Sequence, residues 1–289
     1  MTQIAPEIER KLGIVVERMP AFPKSVQKIL EITRNINCTP RELVGIVEKD
    51  PVITLKVLRV VNSAQLSLPT KITSINQSVV YLGVNTIKNL ALSIAAIGIL
   101  PTTNAAGFDI QRYLMHSLTT AAFSRQLCSV YAAGEADPGD CYIAGLLHDF
   151  GKIVFAQFMP EQFRQVLARC AETTLPSHCA ELELIGADHT VVGAMLAGKW
   201  KFPAALVDSI RSHHSSDAPA TAMNDCLRMA DLISRQLGSG DMDTPYREGE
   251  SPINPARFGT DLDRVVASLG DIEKMVEDAA AFAQAGMSK

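Results

Sequence analysis

Residues 144–155 read AGLLHDFGKIVF and place a histidine and an aspartate directly after an apolar run. We predict that this stretch lies on a helix that begins near Asp140, and that the apolar run buries the helix end that carries His148 and Asp149. Neighbouring side chains on a helix point about 100° apart, so these two converge only on an atom that lies between them. Because a buried carboxylate is costly without a cation or hydrogen-bond donors, Asp149 is expected to have a partner.

More histidines and a second aspartate fall on predicted helices around this stretch. The chain has six histidines, and five of them form a pattern with Asp149 and with Asp231, which sits among apolar residues. Imidazole and carboxylate groups without thiolates suit Fe, Mn, Zn or Mg better than a structural zinc site. The set is therefore either a metal centre or an interior polar network that links the helices. Its members are His116, His148, Asp149, His189, His213, His214 and Asp231.

Helical periodicity dominates the rest of the chain, and strand-like alternation is scarce. Thr39-Pro40 and Asp50-Pro51 each combine an N-cap residue with a proline in the first turn, and each predicts a helix start. The other predicted helices are 24–35, 74–82, 84–100, 109–131, one from 140, 160–172, 176–186, 188–200, one from Pro203, 222–237 and 261–285. The sequence therefore predicts an all-α protein, with a surface loop at 238–260 that is rich in Gly, Pro and Asp.

The polar break PTTNAAG at 101–107 is the predicted junction between two helical lobes. We expect an N-terminal lobe at 1–107 and a lobe that carries the histidines at 108–237. The surface loop and the C-terminal helices, 238–289, are expected to pack on the core. A chain of 289 residues can bury a core of this size without disulfides or metal staples.

Charge and composition argue against several classes of protein. The net charge of -4 provides no overall basic field that would attract nucleic acid. The apolar stretch Leu90–Leu100 is too short to span a bilayer, and the start MTQIAPEIERK lacks the apolar segment of a signal peptide. The six cysteines form no CxxC unit and are predicted to be reduced thiols. We therefore expect a cytoplasmic protein that binds neither nucleic acid nor a membrane.

The order of these motifs resembles a known family. The pattern H…HD…H…HH…D is similar to the HD superfamily of metal-dependent phosphohydrolases, in particular its HD-GYP branch. Two further stretches, EKDPVITLKVLRVVNSA (48–64) and SINQSVVYLGVNTIKNLAL (74–92), resemble the HDOD family more narrowly. So do MPAFPKSVQKILEI (19–32) and DHTVVGAMLAGKWKFP (188–203), and the resemblance extends over about residues 19–236.

The resemblance implies an all-α fold with an HDOD-specific N-terminal lobe and an HD-phosphohydrolase-like C-terminal lobe. It also implies an output or adaptor module in bacterial signal transduction, near two-component or cyclic-nucleotide pathways, in a family that generally lacks established catalysis. The seven histidines and aspartates named above match its metal-ligand pattern. Lys152 matches a lysine placed to meet a phosphate, with a solvated surface lysine as the alternative. Asn62-Ser63 matches an HDOD motif and is expected to cap or bridge helices.

Two departures bear on catalysis. The segment after His214, SSDAPATAMND, has no GYP motif, which argues against hydrolysis of cyclic di-GMP of the HD-GYP kind. Arg112 stands one turn before His116, where some HD-GYP proteins carry a metal-ligating Glu, and a cation there would oppose a third metal. Two hypotheses remain: an adaptor that binds a signalling protein, with a divalent metal or a nucleotide in the crevice, and a metal-dependent phosphohydrolase acting on a nucleotide or cyclic dinucleotide. No residue is assigned as catalytic, and the oligomeric state is not predicted.

Overall fold

The computed structural model describes residues 4–33, 39–62, 71–173, 175–215, 217–238 and 253–287. Within these ranges the chain forms seventeen helices and no β-strand, so the predicted all-α class is confirmed. No helix among the described residues is both long enough and apolar enough to cross a bilayer. The predictions for Ser63, for Cys38 and for most of the 238–260 loop lie outside the described residues.

Packing divides the chain into two compact units, of which the larger combines Met1–Pro20 with Pro101–Ile272. The predicted histidine-bearing helices all belong to this unit. Its helices are α1 (Pro6–Arg18), α7 (Ile110–Tyr131), α8 (Pro138–Leu147), α9 (Phe150–Phe158), α10 (Pro160–Glu172), α11 (Ser177–Leu184), α12 (His189–Lys199), α13 (Ala204–Ser212), α14 (Ala222–Gln236), α15 (Pro255–Phe258) and α16 (Leu262–Ser268). Within it, α7 packs against α8 and α14, and α12 packs against α9 and α13.

The smaller unit combines Ala21–Leu100 with Glu273–Lys289. Its helices are α2 (Lys24–Thr33), α3 (Pro40–Val47), α4 (Pro51–Val61), α5 (Ile75–Leu82), α6 (Val84–Ile99) and α17 (Ile272–Met287). The predicted starts of α3 and α4 are confirmed by their caps. Thr39 and Glu42 form a capping box, and the Asp50 carboxylate accepts hydrogen bonds from the backbone N–H groups of Val52 and Ile53.

Asn62, at the end of α4, ties that helix to the chain that leads into α5. Its Nδ2 donates to the carbonyl oxygens of Leu58 and Ile72, each at 2.8 Å. Its Oδ1 accepts from the N–H of Ile72 at 2.7 Å. The side chain therefore satisfies backbone groups in two separate segments of the chain, which is a structural role for the asparagine of the Asn62-Ser63 motif.

The structure differs from the sequence predictions at both ends of the chain. Helix α1 was not predicted, and it groups with the larger unit because it packs against α9 and α12 and buries Leu12, Val15 and Val16. Residues 261–285 form two helices instead of one, because Gly270 takes a φ of 85°, a left-handed value that other residues adopt only with strain. The short helix α15 lies inside the segment that was predicted as loop.

Candidate metal centre

We predicted that the HDFGK stretch lies within one helix, but in the structure it joins two helices. His148 is the C-cap of α8, and Asp149 is the N-cap of α9 with φ -97° and ψ 7°. The break turns both side chains into the interior, where each is almost fully buried. The Nδ1–H of His148 donates to the carbonyl oxygen of Gly145 at 2.8 Å, which fixes the ring and leaves its Nε2 facing the neighbouring ligands.

Gly151 lies two residues after Asp149 and permits a close approach between α9 and α12. A Cβ atom at this position would lie 2.0 Å from the carbonyl oxygen of His189. Glycine is therefore the residue that fits here, because any side chain would push His189 away from Asp149. The glycine of the HDFGK motif thus sets the spacing between two of the predicted ligand residues.

The first ligand group consists of His116, His148, Asp149 and Asp231. The Nε2 atom of His116 lies 3.2 Å from that of His148 and 3.3 Å from Asp231 Oδ1. The Nε2 of His148 lies 3.4 Å from Asp149 Oδ2. Two ligands that each sit about 2.1 Å from a tetrahedral ion are separated by about 3.4 Å, so this spacing suits a shared ion.

The second ligand group consists of Asp149, His189, His213 and His214, whose ligand atoms all lie within 4.8 Å of one another. Asp149 Oδ1 is 3.0 Å from His189 Nε2 and 3.6 Å from His213 Nε2. The two oxygens of Asp149 therefore point to different groups, Oδ2 to the first and Oδ1 to the second. All seven predicted ligand residues come together in one cluster around this shared carboxylate.

The hydrogen bonding of the second group indicates that it is built for a cation. Asp149 Oδ1 and His189 Nε2 lie 3.0 Å apart as an ion pair, and His213 Nε2, which faces the same carboxylate, is buried with no hydrogen-bond partner among the described residues. Buried polar atoms are normally paired. His213 donates through Nδ1 to the carbonyl oxygen of Ile210 at 2.7 Å, which leaves Nε2 as the atom that would ligate a metal ion. These residues fit a divalent metal ion.

A family model matches most of this chain. The family described as the HDOD domain matches residues 19–216, which is more than half of the chain. The chain belongs to the HDOD family. A protein of Treponema pallidum (strain Nichols) described as "Uncharacterized protein" is 24% identical to this HDOD chain over 249 residues. Those residues are 85% of the chain, which spans about half the length of that relative, 48%.

Solved structures share the HDOD fold. An HDOD domain protein of unknown function from Geobacter sulfurreducens matches with a TM-score of 0.79 at 24% identity, over 96% of this chain and 99% of that one. A "Putative signal transduction protein" from Marinobacter aquaeolei VT8 matches with a TM-score of 0.80 at 23% identity, over 97% of this chain and 66% of that one. A "Putative metal-dependent phosphohydrolase" from Shewanella amazonensis SB2B matches with a TM-score of 0.56 at 17% identity, over 97% and 99% of the two chains.

Lys152 is part of the HDOD cluster. Its side chain is buried, with 2% of the residue exposed, and its Nζ lies 2.9 Å from Asp149 Oδ2. The alternative of a solvated surface lysine is therefore wrong. The contact that the structure shows is with the shared carboxylate, and a contact with a phosphate stays a prediction. Arg112, by contrast, is exposed on α7.

Sequence reasoning missed two residues that orient the ligands. The buried Glu181 on α11 accepts two hydrogen bonds from His189 through Oε2, from Nδ1 at 2.7 Å and from the backbone N–H at 2.6 Å. Arg235 donates to Asp231 Oδ2 at 3.2 Å. The i,i+4 spacing of Asp231 and Arg235 was a usable signal. The pairing of Glu181 with His189 was not, because it depends on the packing of α11 against α12.

The charges of the cluster shift the pKa values of its members. Burial alone would raise the pKa of Asp149, but His148, Lys152 and His189 outweigh it and hold that pKa well below its usual value. Burial lowers the pKa of His148 to about 4, against the opposing effect of Asp149. Burial also works against a charged His189, yet the carboxylates of Glu181 and Asp149 raise its pKa to about 10. At neutral pH, His189 is therefore charged and His148 is neutral.

We predict that metal binding to this chain releases a proton. Ligation of a metal ion through His189 Nε2 would require the loss of the proton on that atom, while Nδ1 would keep its bond to Glu181. Titration calorimetry with Mn²⁺ near neutral pH, in two buffers of different ionisation enthalpy, should show about one proton released for each ion at the second group. The release should decline as the pH rises toward the His189 pKa of about 10, because less of the imidazole is charged.

The variant Glu181→Gln tests whether the raised pKa of His189 is the source of the released proton. This variant removes the carboxylate that raises the His189 pKa, so it should reduce proton release near neutral pH. Glu183→Gln, at an exposed position on the same helix, is the matched control and should behave like the wild type. Metal binding without proton release in the wild type would contradict the prediction.

A cavity of about 960 Å³ adjoins the second ligand group. His214 lines it, as does His178, the sixth histidine, which was not among the predicted ligands. The two rings stack with their centroids 4.3 Å apart and an interplanar angle of 12°. The cluster is therefore closed around Asp149 and reaches a cavity at His214.

Proposed function

We propose that this chain is a signal-transduction adaptor whose HD-type cluster holds a divalent metal that controls the surface offered to a signalling protein. The observation that carries the proposal is the burial of the second ligand group: Asp149, His189 and His213 are each at most 4% exposed. Metal sites with structural roles are closed, whereas catalytic sites keep an open position for water and substrate. The HDOD family match supports the signalling role.

The ion pair between Lys152 and Asp149 supports the same conclusion. Asp149 is the carboxylate that both ligand groups share, and the Lys152 ammonium already lies against its Oδ2. A second cation on that oxygen would be opposed by the ammonium at short range. The cluster therefore suits one ion at the second group better than a pair of ions bridged by Asp149, which is the arrangement that two-metal hydrolysis needs.

The proposed control works through differential binding. A metal ion shifts a conformational equilibrium only if it binds one arrangement more tightly than another. A tenfold difference in metal affinity, about 1.4 kcal/mol, would change the affinity for a protein partner by the same factor. Because the second group comes from the N-cap of α9, the first residue of α12 and the end of α13, an ion bound there would restrain three helices of the larger unit relative to one another.

A second candidate function is a metal-dependent phosphohydrolase acting on a nucleotide or cyclic dinucleotide. The cavity at His214 favours it, because a substrate could reach the second ligand group from there. Asp149, His189, His213 and His214 would hold the ion, which when bound supplies Lewis acidity and a water of lowered pKa. Glu181 would keep His189 oriented, and Arg211, which also lines the cavity, could bind a phosphate.

Turnover measurements separate the two candidates. The full chain is loaded with Mn²⁺ or Fe²⁺ and incubated with p-nitrophenyl phosphate, bis-p-nitrophenyl phosphate and cyclic di-GMP. The adaptor proposal expects no turnover above that of Asp149→Ala with any of them. Steady turnover by the wild type that Asp149→Ala abolishes would make the chain an enzyme and overturn the proposal.

The adaptor role itself is tested with a purified partner. Proteins of the source organism that the immobilised, metal-loaded chain retains are purified, and their affinity is measured with metal-loaded and chelator-treated wild type. We expect an affinity difference of about tenfold that is absent in a folded His148→Ala, Asp149→Ala double variant. Equal affinity under both conditions would contradict metal control and leave a rigid scaffold with an inert cluster.

A further inference from the structure

The cavity beside His214 has walls from four elements. Helix α1 contributes Glu9 and Leu12, α11 contributes His178, and the end of α13 and the segment after it contribute Arg211 and His214. The fourth wall is α12 with its N-cap. All these elements belong to the larger unit. A volume of about 960 Å³ is within the range of sites that enclose a small organic molecule, which is of order 300–1,000 Å³.

Two charges of opposite sign lie on different walls of this cavity without partners. Neither the guanidinium of Arg211 nor the carboxylate of Glu9 has a hydrogen bond or ion pair with any other described residue. Other charges of the lining are engaged: Asp188 accepts from the backbone N–H groups of Thr190 and Val191 as the N-cap of α12, and Asp217 also has a partner. Among the described residues of its lining, the cavity therefore presents one available cation and one available anion.

The remaining lining favours a ligand with an apolar body. Leu12, Leu182, Val191 and Met195 line the cavity between the polar groups. The described lining contains more carboxylates than guanidinium groups: the carboxylates belong to Glu9, Asp188 and Asp217, and the guanidinium belongs to Arg211. A ligand with several phosphates, such as a cyclic dinucleotide, would be repelled by this balance.

We propose that the cavity binds a zwitterionic phosphate monoester: a small apolar body with one phosphate and one amine. Arg211 binds the phosphate, because a guanidinium offers two parallel N–H donors to phosphate oxygens. His214, which belongs to the second ligand group, follows Arg211 by less than one helical turn and also lines the cavity. An ion held by that group would therefore lie at the end of the cavity where Arg211 binds the phosphate. Glu9 binds the amine. The inference deepens the proposed function and rests on it for the metal ion beside His214.

The assignment gives a role to a helix outside the family match. The HDOD match begins at residue 19, whereas α1 spans Pro6–Arg18. Arg211 and His214 lie inside the matched segment, and Glu9 does not. The phosphate end of the site therefore belongs to the matched domain, and the group that selects the amine belongs to the N-terminal helix of this chain.

Calorimetric titration of the full chain, loaded with Mn²⁺ and free of metal, tests the proposal. The probes are pyridoxamine phosphate and pyridoxine phosphate, which share ring and phosphate but differ in an amine against a hydroxyl. We expect pyridoxamine phosphate to bind about tenfold more tightly, as one charge-assisted contact allows. Cyclic di-GMP should bind more weakly than either. Equal affinity for the two ring phosphates, or tighter binding of cyclic di-GMP, would overturn the proposal.

Matched variants assign the two contacts. Glu9→Ala should remove the preference for the amine without changing the affinity for pyridoxine phosphate. Glu7→Ala, exposed near the start of the same helix but outside the cavity, should keep the preference. Arg211→Gln should weaken both probes about tenfold, and Arg125→Gln, exposed on α7, should weaken neither.

The outcomes also separate this inference from the proposed function. If Mn²⁺ binds but neither ring phosphate does, the cavity assignment is wrong and metal control stands. If Mn²⁺ does not bind, the proposed function is wrong. If Glu9→Ala and Glu7→Ala behave alike, the amine is not selected by Glu9 and the zwitterion assignment fails.

Discussion

Replacing Asp149 with alanine is expected to abolish metal binding and to destabilise the metal-free fold as well. Asp149 is the only residue that belongs to both ligand groups among the described residues, so its loss leaves neither group complete. The substitution also leaves the buried Lys152 ammonium without the oxygen that lies 2.9 Å from it. Breaking a buried ion pair by removing one partner costs about 3–5 kcal/mol.

Two measurements check the effect of Asp149→Ala separately. Elemental analysis of protein purified without chelator should show the divalent metal of the wild type reduced to background. Denaturant unfolding in the presence of chelator should show a loss of about 3–5 kcal/mol in the free energy of unfolding. Asp263→Ala, at an exposed position in the first turn of α16, is the control and should change neither result. Full metal content in Asp149→Ala would contradict the assignment of this carboxylate.

The clustering of these seven histidines and aspartates could be predicted from the sequence, but their division into two groups could not. Histidines and aspartates on apolar helices, among them His116 and Asp231, need polar partners once those helices are buried, and this reasoning requires no coordinates. Which atoms meet is set by the packing of the helices in the larger unit. The sharing of Asp149, with Oδ1 near His189 and Oδ2 near His148, follows from that packing alone.

Local signals predicted helix starts better than helix ends. Thr39 and Asp50 cap their helices as predicted, because an N-cap is a contact within four residues of sequence. The break at His148-Asp149 was missed, since the apolar pattern continues through it into α9 and the turn is stabilised by contacts that are distant in sequence. Helix α1 was missed although a local signal was present: its buried Leu12, Val15 and Val16 have the i, i+3, i+4 spacing of a helical stripe, which packs on α9 and α12.

Ion pairs between residues that are distant in sequence could not be predicted either. Arg257 pairs with Glu135 at 2.9 Å and with the buried Asp225 at 3.0 Å, and so ties α15 to α14 and to the turn before α8. Nothing in the composition of the 238–260 segment indicated this anchor. The prediction of a surface loop there missed α15 because four residues give too little periodicity to detect.

Replacing Gly151 with alanine is expected to have the second large effect, through one methyl group. The added Cβ would lie 2.0 Å from the His189 carbonyl oxygen and 2.8 Å from its carbonyl carbon and Cα, all backbone atoms that no rotamer change can move aside. Helices α9 and α12 must therefore separate, at a cost of about 3 kcal/mol or more in unfolding free energy. The same shift carries His189 away from Asp149, so Mn²⁺ affinity should decline together with stability.

Gly198→Ala is the matched control for Gly151→Ala, and both variants are compared with the wild type by thermal unfolding and Mn²⁺ titration. Gly198 also lies on a helix, α12, but a Cβ atom added there would meet no other atom within 4 Å. A helical glycine with open space around it should gain up to about 1 kcal/mol on substitution by alanine, because the unfolded chain loses conformational freedom. Gly198→Ala should therefore melt at or above the wild-type temperature and bind Mn²⁺ normally. Similar melting temperatures and Mn²⁺ affinities for the two variants would show that the close approach of α9 and α12 does not position the cluster.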